Sequence, residues 1–237
     1  RMNLLLVLAQ QQPASGSSPF ALALVFGLLT LVPAVLLLGT RFVKMSVVLG
    51  VLRNAFGAPH LPGNLAVMGL SAVLTLHVMA PTARAVWRDA GTSLTSVLAS
   101  DPLSAEGLDR LGRAWDAGSP AVKRFLRANS TERDRALFVS LARDASVRQG
   151  APETVSEDAL RVLLPAFALS ELARAFVMAF LVLLPFLVVD LVVANVLMAM
   201  GLGAMSPASA ALPFKLLLFV LADGWHLLAR ALVLGYR

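Results

Sequence analysis

Residues 175–200 read AFVMAFLVLLPFLVVDLVVANVLMAM, and their reading decides the fold: the stretch carries a single charge, Asp190. Eighteen or more apolar residues with almost no charge are read as a membrane-spanning helix. A second such stretch, Phe20–Thr40, has no charge at all and as a helix reaches roughly 30 Å, the thickness of a bilayer core. Pro33 lies inside it and predicts a kink. A third, Asn64–Val86, carries only His77 and Arg84, with Pro81 near one end. A fourth, Leu216–Leu234, is apolar but interrupted by Asp223, His226 and Arg230.

Composition agrees. Hydrophobic residues make up 58% of the 237 and charged residues 14%, against about 45–50% and about 25% in soluble domains. There is no cysteine, which excludes disulfides, thiolate metal sites and a Cys nucleophile. Residues 88–161 hold 11 basic and 11 acidic residues, while the rest of the chain holds 9 basic and only 3 acidic ones. The net charge of +6 therefore flanks the apolar segments. This reads as a topology signal rather than a nucleic-acid surface.

The predicted organisation is all-α: a polytopic membrane protein of helical hairpins with a small helical extracytoplasmic insertion. Residues 1–87 form a tail and the first hydrophobic hairpin, 88–161 the polar helical domain, and 162–237 the second hydrophobic hairpin. Residues 1–9 resemble a clipped signal-peptide core or a frayed tail, and 10–18 read as a loop. Arg41, Lys44 and Arg53 put a positive turn on the cytoplasmic side. Arg84 and Arg88 weigh against placing 88–161 outside. Within that domain, Ser104 with Glu106, then Leu108, Leu111 and Trp115, predicts a short amphipathic helix. Thr131-Glu-Arg-Asp134 and Thr154-Val-Ser-Glu157 predict two more helix starts. Gly201–Pro213 reads as a loop.

The intramembrane charges are the unusual feature. Eleven Leu, Val and Phe residues between 216 and 234 supply about −3 to −7 kcal/mol for insertion, while Asp223 and Arg230 cost up to about 2.5–3.5 kcal/mol each. Such a helix is a poor lipid-facing span and needs partners. Asp223, His226 and Arg230 at i, i+3 and i+7 are expected on one helix face. Glu171 and Arg174, at i and i+3, are expected to pair. Asp190 has Asn195 nearby. These groups, with Lys215, are candidates for buried charges at an interface, or for a conduit, proton path or gating element.

No His-Glu-x-x-His, phosphate-binding loop, Gly-x-Ser-x-Gly or Gly-x-Gly-x-x-Gly occurs in the chain, and none of these chemistries is expected. The three histidines are not spaced as a metal set. Asp190 and Asp223 lack the Gly-x-Gly-Asp context of an intramembrane aspartyl protease. An ion-coupled solute transporter using the intramembrane charges is the main alternative to a structural role.

Three blocks resemble the FliP/SctR family of type III protein export. The first runs from Leu28-Leu-Thr-Leu-Val-Pro33 through Gly39-Thr-Arg-Phe-Val-Lys44 and Arg53-Asn-Ala-Phe-Gly57 to Val78-Met-Ala-Pro81. The second holds Leu164-Pro-Ala-Phe-Ala-Leu-Ser170-Glu171, Pro185-Phe-Leu-Val-Val-Asp190 and Leu197-Met198-Ala-Met200-Gly201. The third is Ser206-Pro207, then Leu212-Pro-Phe-Lys215 through Ala222-Asp223-Gly-Trp225.

The resemblance implies a core subunit of the export gate in the bacterial inner membrane, with no catalysis and no cofactor. It implies a homo-oligomeric ring, thought to be five copies. That ring joins FliQ/SctS-class and FliR/SctT-class membrane proteins, contacts membrane lipid and passes unfolded exported proteins. Lys44 and the short apolar start are similar to SctR members, where flagellar FliP tends to carry Arg and a cleaved leader. A methionine cluster after Met-Ala-Met-Gly closes the family's pore. Here it is thinned to Leu202-Gly-Ala-Met205, leaving Met198, Met200 and Met205 as pore or gate candidates, or as ordinary core methionines. Pro59-His60 stands where the family carries a Gln pair.

Overall fold

A computed structural model describes residues 30, 37–57, 63–98, 105–150 and 154–235. Every element among them is helical: α1 Phe42–Ala55, α2 Asn64–Leu98, α3 Ala105–Asn129, α4 Glu132–Arg148, α5 Leu160–Ala199, α6 Pro207–Leu221 and α7 Gly224–Leu234. The expected leader-like segment 1–9, the loop 10–18 and most of the first span 20–40 lie outside the described residues.

Two cores organise the helices. In the larger, α1 is enclosed: Met45, Val48, Leu49 and Leu52 are buried against Val67 of α2, Ala175, Ala179 and Phe186 of α5, Phe219 of α6 and Leu228 and Leu232 of α7. In the smaller, Leu126 of α3 meets Leu163 and Phe167 of α5. Helices α2 and α3 approach closely because small residues face each other. A Cβ added at Gly118 would sit 3.2 Å from the Cβ of Ala90.

Helix α2 continues unbroken through residue 87 into the polar stretch, and α5 begins at Leu160 and runs for 40 residues. At 1.5 Å per residue α5 reaches about 60 Å, roughly twice a bilayer core. Its first third is covered by α3 and α4. From Phe176 onward it presents large apolar side chains outward, among them Phe180, Leu184, Leu191 and Val196. Among the described residues, the helices α2 and α5 are long and apolar enough to cross a membrane; α6 and α7 make a third only if the bent pair counts as one span.

Four expectations meet the structure differently. First, the Thr131 cap forms: its hydroxyl oxygen accepts the Asp134 N–H at 3.1 Å. The Thr154–Glu157 cap does not, because α5 starts later, after Ala159. Ser156 instead accepts the Asp158 N–H at 3.2 Å in a local turn, and Arg127 of α3 holds Asp158.

Second, Gly201–Pro213 is not all loop. Pro207 opens α6, where its missing N–H costs nothing, and Pro213 lies inside that helix.

Third, 216–234 is not one helix. Asp223 adopts φ 49°, ψ 49°, and α6 and α7 meet at a 63° bend. The common face expected for Asp223, His226 and Arg230 is therefore interrupted at its first member. The Asp-Gly pair at 223–224 is the turn signal that the apolar pattern outweighed.

Fourth, Arg41 Nη2 donates to Asn129 Oδ1 at 2.6 Å. A cytoplasmic 41–53 and an extracytoplasmic 88–161 would place a bilayer core between two groups that touch, so the two placements do not hold together. Charge counting assumes cations in water, whereas Arg41 and Lys44 are buried.

Candidate functional site

Apart from His77 and Arg84 of α2, the charges in and beside the apolar segments fall into three groups. The first lies where α1, α3 and α5 meet. Glu171 is buried on the covered part of α5, and Arg174, one turn on, donates to it at 3.1 Å, the pairing expected from the spacing. Arg174 also donates to the Asn129 carbonyl at 2.8 Å, at the end of α3. Asn129 accepts from Arg41, whose guanidinium lies 5.4 Å from the centre of the Phe125 ring. Lys44 is completely buried beside them. Burial pushes its amine down to about 8 from 10.5; Glu171 opposes that fall, and Arg41 and Arg174 add to it.

Arg41 and Lys44 read in the sequence as a positive turn rather than as buried charges, and Asn129 was not singled out. The available signal was two cations at i and i+3 opening an apolar helix, a position that buries one side of the turn. Next to this group, Ser170 accepts the Thr131 N–H at 2.9 Å and donates to the Asp134 carboxylate. The cap of α4 is thereby fastened to α5.

The second group joins α1, α5 and α6. Lys215 is buried and pairs with Asp190 at 2.7 Å. The same ammonium donates to the Ala55 carbonyl, one of the last of α1, at 2.8 Å. A helix C-terminus leaves carbonyls without intrahelical donors, and a cation there satisfies one of them. Asn195, the neighbour noted in the sequence, plays no part. Lys215 thus holds three helices with one amine.

The third group is Asp223, His226 and Arg230. All three are exposed at the α6–α7 bend, and none is hydrogen-bonded or ion-paired by side chain among the described residues. Phe219 packs edge-on to Trp225 and to Phe56, each with ring centres 5.2 Å apart, and its ring lies over Gly224. A Cβ at 224 would fall 2.2 Å from that ring, so the bend depends on glycine there.

The methionines stand at the far end of α5. Met200 is followed by Gly201 at φ 74°. The Leu202 N–H returns to the Leu197 carbonyl at 2.9 Å and the Gly201 N–H to the Met198 carbonyl at 3.0 Å, a tight glycine stop. Met198, Met200 and Met205 are 65%, 66% and 51% exposed, so within one chain they are not core residues. Among the described residues no cluster of His, Asp or Glu can hold a metal.

The sequence is similar to those of known proteins. The FliP family model matches residues 25–232. Yop proteins translocation protein R of Yersinia pestis is 40% identical over 91% of this chain and 95% of its own. Flagellar biosynthetic protein FliP of Caulobacter vibrioides is 44% identical over 88% and 73%. Virulence protein YscR of Salmonella typhimurium is 37% identical over 92% and 97%. With nearly its whole length matched, the chain belongs to the FliP family.

Proposed function

We propose that this protein is a core subunit of a type III protein export gate in the bacterial inner membrane, and that copies of it form a ring lining and gating the path of unfolded substrates. The observation that carries this reading is the near full-length match to relatives named for protein translocation and flagellar biosynthesis. The surface supports it. The uncovered part of α5 and the outer sides of α6 and α7 expose many large apolar side chains, more than a lone soluble monomer carries, and membrane lipid, further copies and FliQ/SctS- and FliR/SctT-class subunits are the covers we assign. Residues 88–161 would form the extracytoplasmic part, and the buried positive group at Arg41 and Lys44 would lie on that same side.

In this reading the exposed Met198, Met200 and Met205 line the constriction. Flexible, polarizable thioethers suit a seal that opens and recloses. The chain holds substrate and does no covalent chemistry. An ion-coupled transporter gains no support, since Asp190 is paired with Lys215 rather than gathered with Asp223, His226 or Arg230.

Native mass spectrometry of the purified protein, alone and with its two partner classes, tests the proposal. A discrete ring that then captures the partners is the expected result. A monomer that captures neither refutes it.

A further inference from the structure

The inside of the α6–α7 bend is hollow. A cavity of about 260 Å³ lies between α5 and the bent pair, walled by Val182, Pro185 and Phe186 on one side and Leu227, Leu228 and Ala231 on the other. Its walls are apolar, so water gains no hydrogen bonds there; such spaces stay dry and take hydrocarbon. Arg230 does not line the cavity; it follows Leu227 by three residues, which places it beside that edge of the wall. His226 lies one turn before it, and Asp223 stands at the bend that precedes the helix.

Their lack of partners separates these three from Glu171, Arg174, Asp190 and Lys215. Glu171 and Asp190 both have cations within the chain. Arg230 and His226 stand exposed between Trp225, Leu227 and Leu234, which are themselves exposed. An arginine in such a setting is costly until an anion reaches it.

A phospholipid fits both halves of the site: an acyl chain for the cavity, and a phosphate for the Arg230 guanidinium, which binds phosphate through two parallel hydrogen bonds. Asp223 favours a headgroup that also carries an amine. We infer that the bend is a binding site for one aminophospholipid, with its acyl chain under Phe219, its phosphate at Arg230 and its amine toward Asp223. This inference concerns the single chain and does not rest on the ring.

The test uses the intact chain in nonionic detergent with Trp87→Phe and Trp115→Phe, so that Trp225, which touches the cavity wall at Phe219, is the only tryptophan. Phosphatidylethanolamine with brominated acyl chains is titrated while Trp225 fluorescence is read. Saturable quenching is expected. Arg230→Gln should weaken it roughly tenfold, as loss of one charged hydrogen-bonding group does. Asp223→Asn should shift preference toward phosphatidylglycerol, and Ala231→Phe should abolish the saturable phase by filling the cavity. Arg230→Gln is a surface change and keeps the experiment readable if Ala231→Phe does not fold.

Quenching that rises linearly with lipid and is equal in wild type and Arg230→Gln means bulk solvation and overturns the inference. So does equal quenching by a brominated alkyl chain lacking phosphate. Quenching that disappears with loss of lipid when copies associate assigns the cavity to a neighbouring protein chain and overturns it as well.

Discussion

Glu171 and Asp190 are two acids on one helix, about 28 Å apart by helical rise, and they are held in opposite ways. Glu171 is enclosed by α1 and α3, faces Lys44 and Arg174, and has lost nearly all contact with solvent. Asp190 meets one cation, Lys215, and keeps about 35% of its side chain exposed. The first is a finished joint: cations outnumber the acid, and backbone carbonyls and Asn129 take up donors. The second is a clasp at the edge of an apolar surface that the chain leaves open. Buried charges in this protein thus mark where helices are fastened, and the degree of enclosure records whether the fastening is internal or borders a neighbour.

Four predictions press on that difference. Glu171→Gln should have the largest effect, because it leaves the buried Lys44 and the half-buried Arg174 without their carboxylate. A loss of about 3–5 kcal/mol in unfolding free energy is expected in detergent, with α3 and α4 detaching first in hydrogen exchange. Lys215→Met should cost about 2–3 kcal/mol, less because a single ion pair is broken there. The double variant Asp190→Leu/Lys215→Met should be milder than Lys215→Met alone, and a double variant more damaged than the single one would show that the pair is not the source of the loss.

The third concerns pH. The buried Lys44 amine releases its proton near 8, while the unfolded chain keeps it to about 10.5. Between those values the unfolded state binds more protons, so stability rises with pH. Denaturation series from pH 7.5 to 10 should show a gain of about 2 kcal/mol that Lys44→Met removes. A flat profile in the wild type would mean the joint is wetter than its geometry indicates. The smallest effect belongs to Thr131→Val, which removes the α4 cap at about 1 kcal/mol and should leave the Asp190 clasp untouched by exchange.

The sequence was most legible where the cause was local. Long uncharged runs marked α2 and α5, Thr131 and Asp134 capped their helix, and the i, i+3 spacing of Glu171 and Arg174 produced a real pair. Where tertiary contacts decided, local signals misled. The Thr154 pattern lost its helix start because Ser156 and Asp158 form a turn that Arg127 anchors from another helix. The periodicity of 223, 226 and 230 assumed a straight helix, while the ring of Phe219 over Gly224 fixes a bend. Arg41 and Lys44 read as loop charges because nothing in their neighbourhood announces Asn129 or Glu171, which join them only in the fold. Asp190 found Lys215 rather than Asn195 for the same reason.

The amine of Lys215 and the carbonyl of Ala55 are 160 residues apart in the chain, and this separation sets a clock on biosynthesis. At about 5–20 residues per second, ribosomes take roughly 8–32 s to travel that far. Throughout that time α1 has been made, yet its last turn lacks the donor that closes it and Phe56 lacks the ring of Phe219. The first helix of the larger core is therefore among the last to settle, and a nascent chain stalled before α6 carries an apolar helix with an open end, a form that chaperones and the insertion machinery must hold.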